Sequence, residues 1–458
     1  MNSRVVVSIT SDKWQTQLEK STQRVVTETP FPQDHAVKAI ASRSKSTLPK
    51  RVAGPVMPPC NYQVPLDIRG KGGVILGFMI RRQLAPVLGA MAGQYPVVTL
   101  TGPRQSGKTT LVRSVFDGHG YCNLENPETR DPKQFFALHP SPVILDEVQR
   151  VPELLSWIQV RIDESGETGA YVLTGSHQFQ LHETITQSLA GRTALLRLLP
   201  FSIRELLDAG LAGDKNELLY RGFLPRIYDR KMDPGRAYAN YFRTYVERDV
   251  RQLLEIRNLG AFENFIRLLA GRVGQPVNLS SLASDTGVSG TTLKEWLSVL
   301  EASHIVFRLQ PYYRDFGKRL VKSPKLYFVE PGLASWLLGI DSPAMAARDP
   351  LHGNLFENMI VAEALKARIH EGAEPRLYFW RDSSGNEVDL LFDKRPRLIP
   401  IEIKSAMTWQ PEFTKRIEGF QRSVPDAGKG YVVYAGDIAP RNERFEAVPF
   451  AGTSALFG

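Results

Sequence analysis

Gly102, Gly107, Lys108 and Thr109 stand at the spacing GxxxxGK[ST] inside VVTLTGPRQSGKTTLVRSVF, the stretch from Val97 to Phe116. Each residue type has a chemical reason at its place. Glycines let the backbone curl so that successive N–H groups face a phosphate, a lysine reaches the β- and γ-phosphates, and a threonine hydroxyl sits on Mg2+. The cradle predicted from this spacing is Gly102, Pro103, Arg104, Gln105, Ser106, Gly107, Lys108, Thr109 and Thr110. Further on, Asp146 and Glu147 directly follow the apolar run Val143, Ile144 and Leu145. Two carboxylates at the carboxyl end of a buried parallel strand lie where ligands bind in doubly wound sheets. Asp146 can hold the Mg2+ shell, and Glu147 can orient a water for attack on a γ-phosphate. A third run, Ala170 to Leu173, leads into Thr174, Gly175 and Ser176, where a hydroxyl can sense that phosphate or hold the water.

A second constellation lies near the carboxyl end. If Lys394 to Arg397 form a four-residue hairpin loop, cross-strand partners place Asp389 opposite Glu402, and Lys404 shares their face. Leu390, Phe392, Ile401 and Ile403 take the other face, toward a core. Like charges set opposite each other destabilise a sheet unless a cation lies between them. The expectation is a divalent metal held by Asp389 and Glu402, with Lys404 orienting an attacking hydroxide and Glu357, on the preceding amphipathic helix, as an added ligand.

The elements that must position these groups follow from periodicity and composition. The strand-loop-helix around Lys108, the strand ending at Asp146 and the strand ending at Thr174 imply a parallel α/β sheet. Residues 1–78 hold 11 Lys and Arg against 5 Asp and Glu, lack a sustained period and read as a poorly ordered tail. Met79 precedes the amphipathic IRRQLAPVLGAMAG and is an alternative start. Most of the net +9 therefore lies outside the folded part, and bulk charge says little about nucleic acid. No apolar run reaches the length of a membrane span, and two cysteines make neither a disulfide framework nor a zinc site, which points to the cytoplasm. Residues 200–260 read as a helical, lid-like segment whose Tyr238, Tyr241, Phe242 and Tyr245 belong to a core. Residues 261–340 give three short helices and a hairpin, the pattern of a winged helix-turn-helix. Its third helix offers Lys294 against Glu295 and Glu301, so a DNA contact would fall to Arg314, Lys318, Arg319, Lys322 and Lys325 of the hairpin.

In this order, TGPRQSGKTTL, VILDEVQRVPEL, YVLTGSHQFQL and SLAGRTALLRLLPFS resemble the AAA+ superfamily. They are especially similar to prokaryotic ATPases that carry a C-terminal domain of unknown function, with FRTYVERDVRQL, GNEVDLLF and IPIEIKSA as further matching segments over residues 79–440. The resemblance implies that Lys108 and Thr109 bind ATP with Mg2+, that Asp146 and Glu147 form the hydrolytic pair, that Thr174 or Ser176 is the polar sensor and that Arg192 is an arginine contact. From Leu355 onward the αβββαβ order and the D…ExK spacing resemble the PD-(D/E)xK restriction-endonuclease-like fold. The expected organisation is a P-loop ATPase core at 79–199, the lid-like segment at 200–260, the winged helix at 261–340 and a nuclease-like α/β domain at 341–458. DNA, a second copy of the chain and a protein partner stay open as partners, beside metal-dependent DNA cleavage switched by ATP and a regulatory scaffold as alternatives.

Overall fold

β-Branched Val97–Thr101 (β1) can be buried on both faces only inside a parallel sheet covered by helices. The structure, a computed structural model, describes residues 79–125, 131–176, 188–250, 258–312, 323–382 and 384–458, with 247–250 as backbone only. With Gly120–Asn123 (β2), Val143–Asp146 (β3), Tyr171–Gly175 (β4) and Thr193–Arg197 (β5), β1 forms a parallel sheet in the order β2-β3-β4-β1-β5. Side chains alternate across it. Val98, Leu100, Ile144 and Val172 pack under Ala85–Ala92 (α1) and Lys108–Val115 (α2); Val97, Leu145 and Leu173 pack under Pro132–Leu138 (α3) and Leu154–Ser165 (α4). Because β4 lies between β1 and β3, Thr174 stands beside the strand that ends at Asp146.

After β5 come Ile203–Asp208 (α5), Lys215–Arg221 (α6), Pro225–Asp229 (α7) and Pro234–Tyr241 (α8). Ser202 starts α5 with a reciprocal capping box to Glu205. The expected lid is not a separate element: Phe201, Tyr238, Tyr241 and Tyr245 share one core with Phe265, Leu333 and Phe356 of the C-terminal half. Leu259–Ala270 (α9), Leu279–Thr286 (α10) and Gly290–Ala302 (α11) follow, each begun by an Asn or Ser side chain that accepts a backbone N–H.

Val306–Pro311 (β6) and Lys325–Phe328 (β7) then pair antiparallel, as the hairpin reading expects. That hairpin is no free wing. Beyond Pro331–Leu337 (α12), Pro343–Arg348 (α13) and His352–His370 (α14), the chain adds Leu377–Arg381 (β8), Glu387–Lys394 (β9), Arg397–Lys404 (β10), Lys415–Ser423 (α15), Gly430–Tyr434 (β11) and Phe445–Pro449 (β12). The sheet order is β12-β11-β10-β9-β8-β6-β7, with Gln310 and Pro311 of β6 beside Tyr378 and Phe379 of β8. One continuous sheet thus crosses the expected boundary at residue 340, since the open edge of β8 is satisfied by β6. Helix α14, expected to be amphipathic, is buried nearly all round because it packs on β7 and β10 on one side and reaches β5 on another.

Candidate functional site

The loop after β1 closes on itself, its lysine bonding to two of its own carbonyls. Gly107 begins α2 with φ +91°, and a Cβ on Gly102, at φ +148°, would collide with the Leu198 carbonyl, so both positions require glycine. Lys108 is buried and its Nζ donates to the carbonyls of Gly102 and Pro103, each at 2.9 Å. Thr109 Oγ1 donates to Asp146 Oδ2 at 2.8 Å, and Tyr121 donates to the same oxygen at 2.9 Å. Thr174 donates to the other oxygen of Asp146. The loop threonine and the strand-end aspartate therefore meet, and this pair of hard oxygen donors fits a Mg2+ ion.

Glu147 follows at φ +59°, a left-handed backbone that a side chain adopts at a cost and that clusters at functional sites. Its Oε2 accepts from Ser176 Oγ at 3.1 Å and from Gln149 Nε2, so the carboxylate is aimed by two neighbours. The carboxylate pair, Thr174 and Ser176 are brought together beside the loop. Arg192 is not. It precedes β5 at the opposite end of the sheet, its carbonyl accepting from Val97 N, and its guanidinium pairs with Asp163 at 2.7 and 3.0 Å on the surface. A parallel sheet keeps the two strand ends apart, so Arg192 makes no contact with its own phosphate loop. Arg192→Ala is expected to leave ATP hydrolysis within about twofold, the modest effect of an exposed ion pair; a tenfold loss in a rate assay would instead give Arg192 a role toward another copy.

Burial pulls the Lys108 amine down to about 8 against the pull of Glu147 and Asp146. Its charge is full below that value and lost as pH rises through it. Triphosphate affinity is therefore expected to hold near neutral pH and to fall by up to about tenfold per unit above pH 8. Titrating a fluorescent ATP analogue across that range checks the slope, and a flat profile would contradict it.

The second constellation has the expected register, with Leu390 opposite Ile401 and Leu398 opposite Asp393, although the turn is two residues long rather than four. Asp389, Glu402 and Lys404 share a face. Between the carboxylates lies a cation of the chain's own: Arg416, from the first turn of α15, donates to Asp389 Oδ1 at 3.3 Å and to Glu402 Oε1 at 3.0 Å. Lys404 donates to the same Glu402 oxygen and lies 3.7 Å from Asp389. Burial and the neighbouring Asp389 push Glu402 up to about 8 against the pull of Lys404 and Arg416, while its Oε2 is buried without a partner among the described residues. Arg416 thus supplies a cation to both carboxylates, and among the described residues there is no group of three or more His, Cys, Asp or Glu side chains that could hold a metal ion. Glu357 bonds to Lys325 and Tyr327, 3.1 and 2.6 Å away, and lies close enough to Asp389 for its charge to be felt. Lys325 was expected on a basic DNA-binding hairpin and is buried in ion pairs to Glu357 and Glu387. Arg314, Lys318, Arg319 and Lys322 lie outside the described residues, as do residues 1–78.

Sequence reasoning missed Arg82, Tyr121, Gln149 and Arg416. Arg82 donates to Ser106 O and Leu199 O, both at 2.6 Å, and to Glu205 at 3.1 Å. In the sequence it is one of two adjacent arginines before α1 and carries no distinguishing signal.

Compared with models of protein families, residues 94–207 match an AAA domain, residues 213–344 a domain of unknown function (DUF8612) and residues 352–452 another domain of unknown function (DUF4143). The uncharacterized proteins Rv2008c of Mycobacterium tuberculosis and Mb2031c of Mycobacterium bovis are each 32% identical over 335 residues, 72% of this chain and 74% of theirs. Among solved structures, the Walker-type ATPase PABY2304 of Pyrococcus abyssi is 16% identical at a TM-score of 0.38, over 57% of this chain and 96% of that one. That likeness is too slight to carry a functional conclusion. Among the described residues no helix is long and apolar enough to cross a membrane.

Proposed function

Since this chain belongs to the family of the mycobacterial protein Rv2008c and carries an AAA domain, we propose that it is a Mg2+-dependent ATPase whose ATP state sets the arrangement of its C-terminal half. The observation that carries this reading is the meeting of Thr109 with Asp146 beside Lys108 at the mouth of the sheet. In the proposed cycle the Lys108 amine leaves the two loop carbonyls for the β- and γ-phosphates. Glu147 orients the attacking water and takes on its proton, while Ser176 and Gln149 hold the carboxylate in place. Thr174 fixes Asp146 through a hydrogen bond, as Tyr121 does from β2. Thr109 and Asp146 are the side chains that would hold Mg2+, whose contribution is to neutralise charge on the phosphate oxygens. The test is phosphate release from ATP by the full chain with and without Mg2+; release no faster than that of the Lys108→Ala chain would overturn the reading.

A second reading makes the C-terminal cluster a nuclease centre acting on DNA under ATP control. It is favoured by the convergence of Asp389, Glu402 and Lys404 on one face of the sheet and opposed by Arg416, which occupies the place between the carboxylates. No cleavage step is derived for it. Incubating linear and supercoiled DNA with the full chain in Mg2+ or Mn2+, with and without ATP, decides between the two. Cleavage lost in Asp389→Ala would establish the nuclease; intact DNA under every condition would leave an ATPase whose C-terminal half binds a partner.

A further inference from the structure

The phosphate loop and α14 hold the same short segment, residues 198–205, from opposite sides. On the loop side, the Leu198 carbonyl abuts Gly102 so closely that no Cβ fits. Arg82 fastens this contact with the three arms of its guanidinium, one on Ser106 O within the loop, one on Leu199 O and one on Glu205 Oε1. Glu205 also accepts from the backbone of Gln83 and Ser202. On the far side, Glu363 Oε2 of α14 accepts from Ile203 N at 2.8 Å, and Lys366 Nζ donates to Phe201 O at 2.8 Å. One turn further along α14, His370 Nδ1 lies 3.9 Å from Glu205 Oε1. Arg82, Glu205, Glu363, Lys366 and His370 are all buried.

The junction is under-paired. Among the described residues both ring nitrogens of His370 are buried with no hydrogen-bond partner, and Glu363, beside its bonds to the backbone of Ile203 and Arg204, is pushed up to about 7 by burial. Buried polar atoms without partners are rare and costly, and their gathering at one contact means that a shifted arrangement has bonds to gain. At its other end α14 carries Glu357, in the charged cluster with Lys325 and Tyr327. A rigid helix of 19 residues thus joins the two charged sites.

We infer that Arg82 is a positioning residue that ties the phosphate loop to segment 198–205, and that this segment carries the nucleotide state of the loop to α14 and the C-terminal sheet. The inference rests on the nucleotide-binding reading and names its route. A nucleotide that draws Lys108 off the carbonyls of Gly102 and Pro103 frees the loop to move, and Arg82 moves with Ser106. Leu199 and Glu205 follow, and with them the backbone groups that Glu363 and Lys366 hold.

The test is hydrogen–deuterium exchange of α14 in the full chain, with and without AMPPCP and Mg2+, preceded by titration of AMPPCP binding. In the native chain AMPPCP is expected to change α14 exchange by at least about fivefold, the lower range of a coupling between sites. The double variant Glu363→Leu, Lys366→Met removes the two side chains by which α14 holds Ile203 N and Phe201 O, and a melting curve first establishes that it folds, with Glu363→Gln, Lys366→Gln as the polar substitute if it does not. It is expected to bind AMPPCP with affinity within about threefold of native while losing the change in α14. Arg82→Lys keeps the charge but not the fork; it is expected to weaken AMPPCP binding about tenfold and lose the change as well. Should that variant fail to fold, the double variant decides alone. Native α14 exchange indifferent to bound AMPPCP, or a change that persists in the double variant, overturns the inference and leaves the ATPase reading standing. Failure of the native chain to bind AMPPCP at all removes that reading and the inference together.

Discussion

Lys108→Ala is expected to reduce ATP hydrolysis by about a thousandfold or more, to the background of the uncatalysed reaction. The size follows from what the amine can do and from where it sits. It is a buried cation of the loop, and charge that develops on the transferring phosphoryl group would lose the ammonium aimed at it. Its loss should cost the fold little, because burial already opposes the amine's charge in the folded state and offsets much of the two charge-assisted bonds to carbonyls, each worth about 1.5–3 kcal/mol. Lys108→Met retains the aliphatic stem and is the matched control for packing. Both variants should melt within a few degrees of the native chain while both are inactive, and triphosphate binding should weaken in each. A variant that hydrolyses ATP at the native rate would end the assignment of this loop as catalytic, whatever else the chain binds.

The phosphate loop was legible in the sequence because its chemistry needs residue types at fixed short spacings, and a strand and a helix must flank it. Asp146 and Glu147 were legible for a related reason, as charges that interrupt a run otherwise buried on both faces. The facing of Asp389 and Glu402 followed from the period-two rule, which holds even though the turn is shorter than expected. The partners that complete both sites were hidden because no motif or period marks them. Arg82 meets Glu205 across 123 residues, a separation that leaves no periodic trace. Arg416 reaches the carboxylates because α15 buries Ile417 and Phe420, and that rotation of the helix turns the neighbouring arginine over the sheet. Where Arg192 lies relative to its own phosphate loop was not legible, because position within a family motif does not tell which end of a strand faces the ligand. Which cores the helical segment at 200–260 and the hairpin strands join was not legible, for one shared reason. Local patterns define helices and hairpins correctly, yet which core they join is decided by tertiary pairing, here of β6 with β8 and of Tyr238 with the C-terminal half.

Lys325 shows how large that difference is in energy. Read as part of a basic hairpin it would be an exposed phosphate contact, and its removal would change stability by no more than about 0.5 kcal/mol. In the structure it is 3% exposed, with its amine 3.1 Å from Glu357 and 2.6 Å from Glu387. Burial pulls the amine down, yet Glu357, Asp389 and Glu387 outweigh it and hold the group above the usual lysine range. Lys325→Met is therefore expected to cost about 3–5 kcal/mol, because it leaves Glu357 buried without its cation and takes from Glu387 the closer of its two, Arg381 remaining at 3.5 Å. Urea melts of the full chain read this as a lower midpoint. The pH dependence has a definite sign. Burial and Asp389 already raise Glu357 above its ordinary value, and losing Lys325 raises it further. A carboxyl group raised in the folded state destabilises at neutral pH and does so less as pH falls through its folded value. The gap between variant and native chain should accordingly narrow on acidification. Adding Glu357→Gln to Lys325→Met should restore part of the loss at neutral pH, since it removes one of the stranded charges. A midpoint unmoved by Lys325→Met, joined to a weaker affinity for duplex DNA, would return Lys325 to the surface and the hairpin to its role as a wing.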